Sequence, residues 1–339
     1  MGGASPTHSK QSMVTAIVNV WRLVPLIVLF THVAGLLKFD SWITMVWLGV
    51  HKTSFFQDAM AEAYVAALSF YGWIMLWAVI DALPGLACIR IDGFERDTKP
   101  LHVMVASNVF GWATFLALGE PFGRLVPFCL ASLSMLSGYI GGTVSVIRAH
   151  DGMATYVARC YVSFFGYLAG IYILLFLKGG PAPSDVGPIT FWRLTAEVLF
   201  GVIAYDFTFA WLHYAMHKIP GCSAFGHKQH HNIGFSGRVI AADTINHAPL
   251  DFALQVLTNI AVQNTWLFGV PKHKMSRLIH NIIVTGLLVE SHAGYDMLLS
   301  SHQLFPGILG GAQRHLQHHK AGKHFYQQFF CYLDDWVLD

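Results

Sequence analysis

Residues 191–217 read Phe191-Trp-Arg-Leu-Thr-Ala-Glu-Val-Leu-Phe-Gly-Val-Ile-Ala-Tyr-Asp206-Phe-Thr-Phe-Ala-Trp211-Leu-His213-Tyr-Ala-Met-His217. The apolar part, 191–212, has the length that crosses a bilayer as a helix. It runs straight into an HxxxH, which puts two imidazoles one helical turn apart on one face. A greasy span that delivers paired histidines to its own mouth predicts two things at once: a membrane scaffold and a metal site at its edge.

Composition agrees with the scaffold. The 339 residues are 54% hydrophobic and only 12% charged, with mean hydropathy +0.49, where a soluble chain carries about 25% charged residues. Upstream of 191, spans are expected near 14–37, 61–83, 101–119, 125–147 and 157–177. Two later apolar segments lie near 252–271 and 278–290. The last is about 13 residues, too short to span alone, and Lys272, Lys274 and Arg277 precede it, so the hairpin is expected to be shallow or partly inserted. Residues 1–12 read as a frayed polar tail, 13–188 as transmembrane helices and 189–339 as the functional domain, with the Pro/Gly-rich stretch 179–188 as the boundary. The fold class expected is all-α, a polytopic membrane bundle with a histidine-rich helical cap. Arg90, Arg96, Lys99, Arg148 and Arg159 favour a cytoplasmic N-terminus and put the segment after 212 on the cytoplasmic side.

A balance of 21 basic against 19 acidic residues excludes a nucleic-acid binder. Five scattered cysteines without a CxxC make neither a disulfide framework nor a zinc-thiolate site. Histidine is the unusual residue. Five of the nineteen lie in residues 1–212 and fourteen in 213–339. After His213 and His217 come two HxxHH clusters, His227-Lys-Gln-His230-His231 and His315-Leu-Gln-His318-His319. Each is expected to aim three imidazoles into one space; imidazole is a ligand for Fe, Zn, Cu and Ni, and eight converging rings would bind two metals rather than one. A metal transporter or sensor would spread such residues through several spans, whereas these gather after residue 212.

The ordered pattern HxxxH, HxxHH, HxxHH resembles the fatty acid hydroxylase/sterol desaturase superfamily of membrane dinuclear-iron oxygenases over about 195–339. Asp206 to His213, the ten-residue gap from His217 to His227, and Asn246-His247-Ala-Pro249-Leu-Asp251 are similar to its elements. Glu290-Ser-His292-Ala-Gly-Tyr295-Asp296, Ser301-His302-Gln-Leu-Phe-Pro306, Gly310-Gly311 and Asp334-Asp335-Trp336 resemble the sterol-acting branch. The third cluster departs from that branch in reading His315-Leu316-Gln317 without an aspartate, and the chain ends in Leu338-Asp339.

The resemblance implies a dinuclear iron site and adds His292 as a ninth ligand. Asp296 would then ligate or, in the preferred reading, accept a bond from an imidazole N–H. His247 would lie near the site, and Asp206 would form an ion pair or cap. It further implies an O2-dependent lipid monooxygenase in the endoplasmic reticulum membrane of a eukaryote, acting on a sterol-type lipid, on its side chain rather than on a C4 methyl. A fatty-acyl or sphingolipid hydroxylase, or a desaturase, shares the same metal core. No GxGxxG fingerprint or haem-binding stretch is visible, so electrons are expected from cytochrome b5 or an NAD(P)H-dependent reductase. His273, His280, His302 and His324 read as interfacial or structural, and Phe207, Phe209 and Trp211 as packing.

Overall fold

The computed structural model describes residues 6–81, 85–91, 101–118, 123–144, 187–231, 241–264 and 272–338, with residue 83 and positions within 158–170. Long helices dominate it: α1 (Pro6–Val33), α2 (Phe39–Val50), α3 (Ser54–Gln57), α4 (Ala61–Asp81), α5 (Leu101–Leu118), α6 (Leu125–Val144) and α7 (Phe191–Lys218). After α7 come α8 (His227–His231), α9 (Pro249–Asn264), α10 (Lys274–Ala293), α11 (Ser301–Leu304) and α12 (Gly311–Ala321). Among the described residues α4 and α7 are long and apolar enough to cross a membrane. The outer faces carry exposed large apolar side chains, among them Phe30, Phe110, Leu116, Val126, Leu199 and Trp211, a surface that water would not tolerate at this extent. The expected span at 157–177 lies largely outside the described residues. Helix α1 begins at Pro6, so residues 6–12, expected to fray, continue the first apolar helix.

Two cores meet along α10. Ile74 and Trp77 of α4, Phe115 of α5 and Met135 of α6 pack with Val289 and Ala293 of α10. Val198, Val202 and Phe209 of α7 pack with Val262 of α9 and Val284 of α10.

Helix α10 extends well beyond the apolar run 278–290. Helix α10 lies parallel to α4 along its whole length. Arg277 pairs with Glu62 at 2.9 Å at one end. Ser69 and Thr285 hydroxyls meet at 3.0 Å and the Trp73 indole N–H donates to the Ile282 carbonyl at 3.0 Å in the middle. The Tyr295 hydroxyl donates to Asp81 at 2.7 Å just past the other end. Twenty residues at about 1.5 Å each reach about 30 Å, the depth of α4. The basic residues that argued for a shallow turn are folded inward. Lys274 donates to the carbonyls of Phe56 and Asp58, Arg277 also donates to the Lys272 carbonyl, and Lys272 is buried with its ammonium 5.1 Å from the Phe200 ring centre. Hydrophobicity of 278–290 alone underestimated the helix because its polar N-terminal turns are satisfied by protein.

The three helices that matter to the site, α7, α9 and α10, thus have a common long axis. Helices α7 and α10 run towards the same end, where the histidine clusters lie. Residues 89–91 pack there too, through Ile91 N–H to the Gly294 carbonyl and Asp296 N–H to the Ile89 carbonyl.

Candidate metal centre

Helix α7 carries His213 and His217 out of the bundle and stops at Ile219, whose backbone is extended before Pro220. The chain turns through Gly226, left-handed at φ 82°, directly into α8, which is little more than the second histidine cluster. The third cluster lies on α12. His292 comes from the last turn of α10, which ends at left-handed Gly294.

These elements bring all nine expected ligands into two adjoining groups. His213, His217, His227, His231 and His318 form one; His230, His292, His315 and His319 form the other; within each, the nearest ring nitrogens all lie within 4.8 Å of one another. The expectation that each HxxHH serves one space is corrected. Each cluster is divided: its first and last histidines go to one group and its middle histidine goes to the other. Helix geometry requires the split. Successive residues turn by about 100°, so positions i and i+4 are about 40° apart while i+3 and i+4 are about 100° apart. The two clusters are used in opposite senses, so α8 and α12 each contribute to both groups. The His231 and His319 rings, 4.5 Å apart between centres, join the groups.

Ring nitrogens face each other at metal-ligand spacing. In the five-ring group the Nε2 of His231 is 3.0 Å from that of His227, 3.1 Å from that of His217 and 3.2 Å from that of His318. In the four-ring group His230 and His292 are 3.1 Å apart, His292 and His315 3.0 Å, and His315 and His319 2.9 Å, all Nε2 to Nε2. Two imidazole nitrogens bound at about 2.0–2.1 Å to one ion, at tetrahedral or octahedral angles, stand about 3 Å apart.

Proton positions decide what those nitrogens are. A carbonyl oxygen can only accept, so a ring nitrogen bonded to one carries the hydrogen. His213 donates through Nδ1 to the Tyr326 carbonyl at 2.7 Å, His318 to the His324 carbonyl at 2.6 Å, His230 to the Asn246 carbonyl at 3.1 Å and His292 to the Leu288 carbonyl at 2.9 Å. His227 Nδ1 meets the Asp251 carboxylate at 2.9 Å. In a neutral imidazole the opposite nitrogen is then a bare lone pair. Nε2 of His213 is buried with no partner, and the Nε2 atoms of His230 and His292 face one another. Lone pairs pressed together in a buried space repel unless a cation lies between them. The donor set fits a pair of transition-metal ions, with outward N–H groups anchored as metal-bound histidines usually are.

Burial disfavours the charged form of eight of these rings. It pushes His231, His315 and His319 far below the ordinary imidazole range, with neighbouring imidazoles adding to the effect. It takes His318 down to about 3 although the bond to the His324 carbonyl favours the charged form. His217, His231 and His319 are half-buried and the other six are buried, so the centre lies just beneath the surface.

The other expected residues divide. His247 stacks on His230, ring centres 4.0 Å apart and planes within 14°, and its Nδ1 meets Asp251 at 2.9 Å. Asp206 does not reach a ring. Fully buried, it accepts from the N–H groups of Phe329 and Phe330 at 2.7 and 3.2 Å and from the Gln327 amide at 2.7 Å. It therefore caps the segment whose Tyr326 carbonyl holds His213. Asp296 turns away from the nine rings: its carboxylate, 49% exposed, accepts from His302 at 2.9 Å and Gln303 at 2.7 Å. The expected place of Asp296 at the centre is corrected, because the turn at Gly294 carries it to the far side of α10's end. His273 caps α10 and His280 bonds Asn259, both structural. Phe209 stacks on His213 with ring centres 5.5 Å apart, while Phe207 and Trp211 face outward.

Two features escaped sequence reading. Asp251 was part of a quoted element, and its spacing of four from His247 was the available signal. The carbonyls of His324 and Tyr326 left none. They are aimed by His324 and Phe325, both left-handed at φ 61° and 55°, a conformation costly for residues other than glycine and typical of functional sites.

Among the described residues the protein is helical, with two helices long and apolar enough to cross a membrane and two adjoining histidine groups that could hold metal ions. Its similarities run the same way. The chain is 30% identical to the cholesterol 25-hydroxylase-like protein of Caenorhabditis elegans over 149 residues, 44% of this chain and 47% of that one. It is 31% identical to the cholesterol 25-hydroxylase-like protein of Danio rerio over 144 residues, 42% of this chain and 53% of that one. With cholesterol 25-hydroxylase of Homo sapiens it shares 31% over 144 residues, 42% and 49% of the two lengths. The chain spans about half the length of the curated relatives it matches, and the similarity is consistent with the fatty acid hydroxylase/sterol desaturase superfamily. No family model matches the chain, and no solved structure matches it at a significant level.

Proposed function

We propose that the protein is a multi-pass membrane monooxygenase that holds two non-haem iron ions and hydroxylates a sterol-type lipid with O2 and electrons from a partner. The observation that carries this reading is the convergence of unprotonated imidazole nitrogens in two adjoining groups, a donor set with no structural use of its own. Iron so held supplies O2 activation, a redox chemistry that zinc lacks. The chain's residues do the rest. Outward N–H bonds to Tyr326, His324, Asp251, Asn246 and Leu288 fix ring orientation, and Phe209 and the α7–α9–α10 core keep water from the inner side.

The names of the relatives favour a sterol, and a side-chain carbon over a C4 methyl. The gathering of both groups at one end of the bundle disfavours a transporter, whose ligands would follow the spans. Lys218, Lys228, Lys320 and Lys323 are exposed beside the three clusters, with Lys218 and Lys228 in electrostatic range of His217. That face suits an acidic electron donor, cytochrome b5 or an NAD(P)H-dependent reductase. In a eukaryotic cell it would face the cytoplasm from the endoplasmic reticulum membrane.

The test is a reconstituted reaction with cholesterol, O2 and cytochrome b5 with its reductase. A product heavier by one oxygen atom is expected. A hydroxyacyl or desaturated product from cell lipids would favour the fatty-acyl branch instead, and no oxidised lipid of any kind would overturn the reading.

A further inference from the structure

One buried carboxylate touches both halves of the centre. Asp251 is fully buried in the first turn of α9. Its Oδ2 lies 2.9 Å from Nδ1 of His227, in the five-ring group, and 2.9 Å from Nδ1 of His247. His247 is not among the nine, but it stacks at 4.0 Å on His230 of the four-ring group. The Gln255 amide closes the arrangement, donating to Asp251 Oδ1 at 3.2 Å and lying 3.0 Å from His247 Nδ1. Asp251 therefore orients one ring of the first group directly and one ring of the second through a stacked intermediary.

Charge points the same way. A carboxylate buried without a compensating cation is costly, and among the described residues the ion-pair partners of Asp251 are His227 and His247, with neither lysine nor arginine. A metal ion bound on the far side of His227 supplies the missing positive charge through the ring, as in carboxylate–histidine–metal arrangements.

We propose that Asp251 is a positioning residue shared by both metal positions, so that its loss loosens both ions rather than one. The inference rests on the reading of the two groups as metal positions, but not on the substrate. Removing an outer partner of a metal-bound histidine typically costs about 10–100-fold in metal affinity.

The experiment counts metal per chain in purified protein loaded with Co(II), then challenged with a chelator at the highest concentration that leaves the wild type with two ions. Asp251→Asn keeps the shape and one acceptor oxygen, and is expected to lose both ions. His247→Ala frees His230 alone and is expected to lose one. Asp296→Asn, paired outside the centre, is expected to keep two. Retention of one or two ions by Asp251→Asn overturns the shared role. If that variant fails to fold, retention of both ions by His247→Ala overturns it independently. Wild-type protein that never holds two ions removes the metal reading itself, and this inference with it, whatever the variants do.

Discussion

At the end of the bundle where α10 begins, His273 and His280 are buried almost completely. His273 accepts from the Met275 N–H and meets the Gly187 carbonyl through its other nitrogen, while His280 meets Asn259. Their bonded ring nitrogens point at separate protein partners rather than at other imidazoles. Twelve residues further along both α7 and α10, about 18 Å by helix rise, nine rings, six buried and three half-buried, do the opposite. Five of them, His213, His227, His230, His292 and His318, turn N–H groups outward to carbonyls and a carboxylate, and all nine bring ring nitrogens together in the two groups. Burial of histidine is therefore not what makes a site here. The direction of the lone pairs is.

The comparison can be broken most forcefully at the converging end. His318→Ala and His230→Ala each remove one ring from a different group. Each is expected to abolish lipid oxidation while leaving membrane insertion intact, a loss beyond the about 10–100-fold of an outer-partner change. Full product formation by either variant in the reconstituted assay would reject that ring's role.

Asp206→Asn tests the support behind His213. Its carboxylate accepts from two backbone N–H groups and one amide, and losing a buried acceptor costs about 1–3 kcal/mol. The expected result is a lower thermal midpoint together with weaker metal retention, traced to a displaced Tyr326 carbonyl. Unchanged stability would show that the 327–330 segment is held by other contacts.

At the opposite end, a methyl group on Gly201 would come within 2.4 Å of His280 Nδ1. Gly201→Ala is expected to cost about 1–3 kcal/mol by overpacking and to leave two metals per chain. Metal loss in that variant would mean that the two ends are not independent. The smallest effect belongs to Asp296→Asn. A half-exposed pair contributes about 0–1 kcal/mol, so both the thermal midpoint and the metal count should be nearly unchanged.

Much of this was legible in the residues. Runs 61–83 and 191–212 announced α4 and α7 because helical spans are read from apolar length. Eight of the nine histidines were legible because helix periodicity places i, i+3 and i+4 near one another, and His292 through the family resemblance alone. That same periodicity, applied more strictly, separates i+3 from i+4, and the division of each HxxHH follows from it. The full extent of α10 was hidden because Lys274 and Arg277 look like surface charges until Phe56, Asp58 and Glu62, distant in sequence, are seen to satisfy them. Helices α2 and α3 went unread, being too short for a span and visible only through tertiary contacts such as the Phe191 N–H to Asp40 bond at 2.6 Å. The backbone carbonyls that orient His213 and His318 depend on two left-handed residues and have no side-chain signature at all.

Elemental analysis of the purified protein tests the central claim most directly. Two iron ions per chain, lost together with lipid oxidation on chelation and restored with it, is the outcome predicted. Fewer than one metal ion per chain with undiminished oxidation would contradict it.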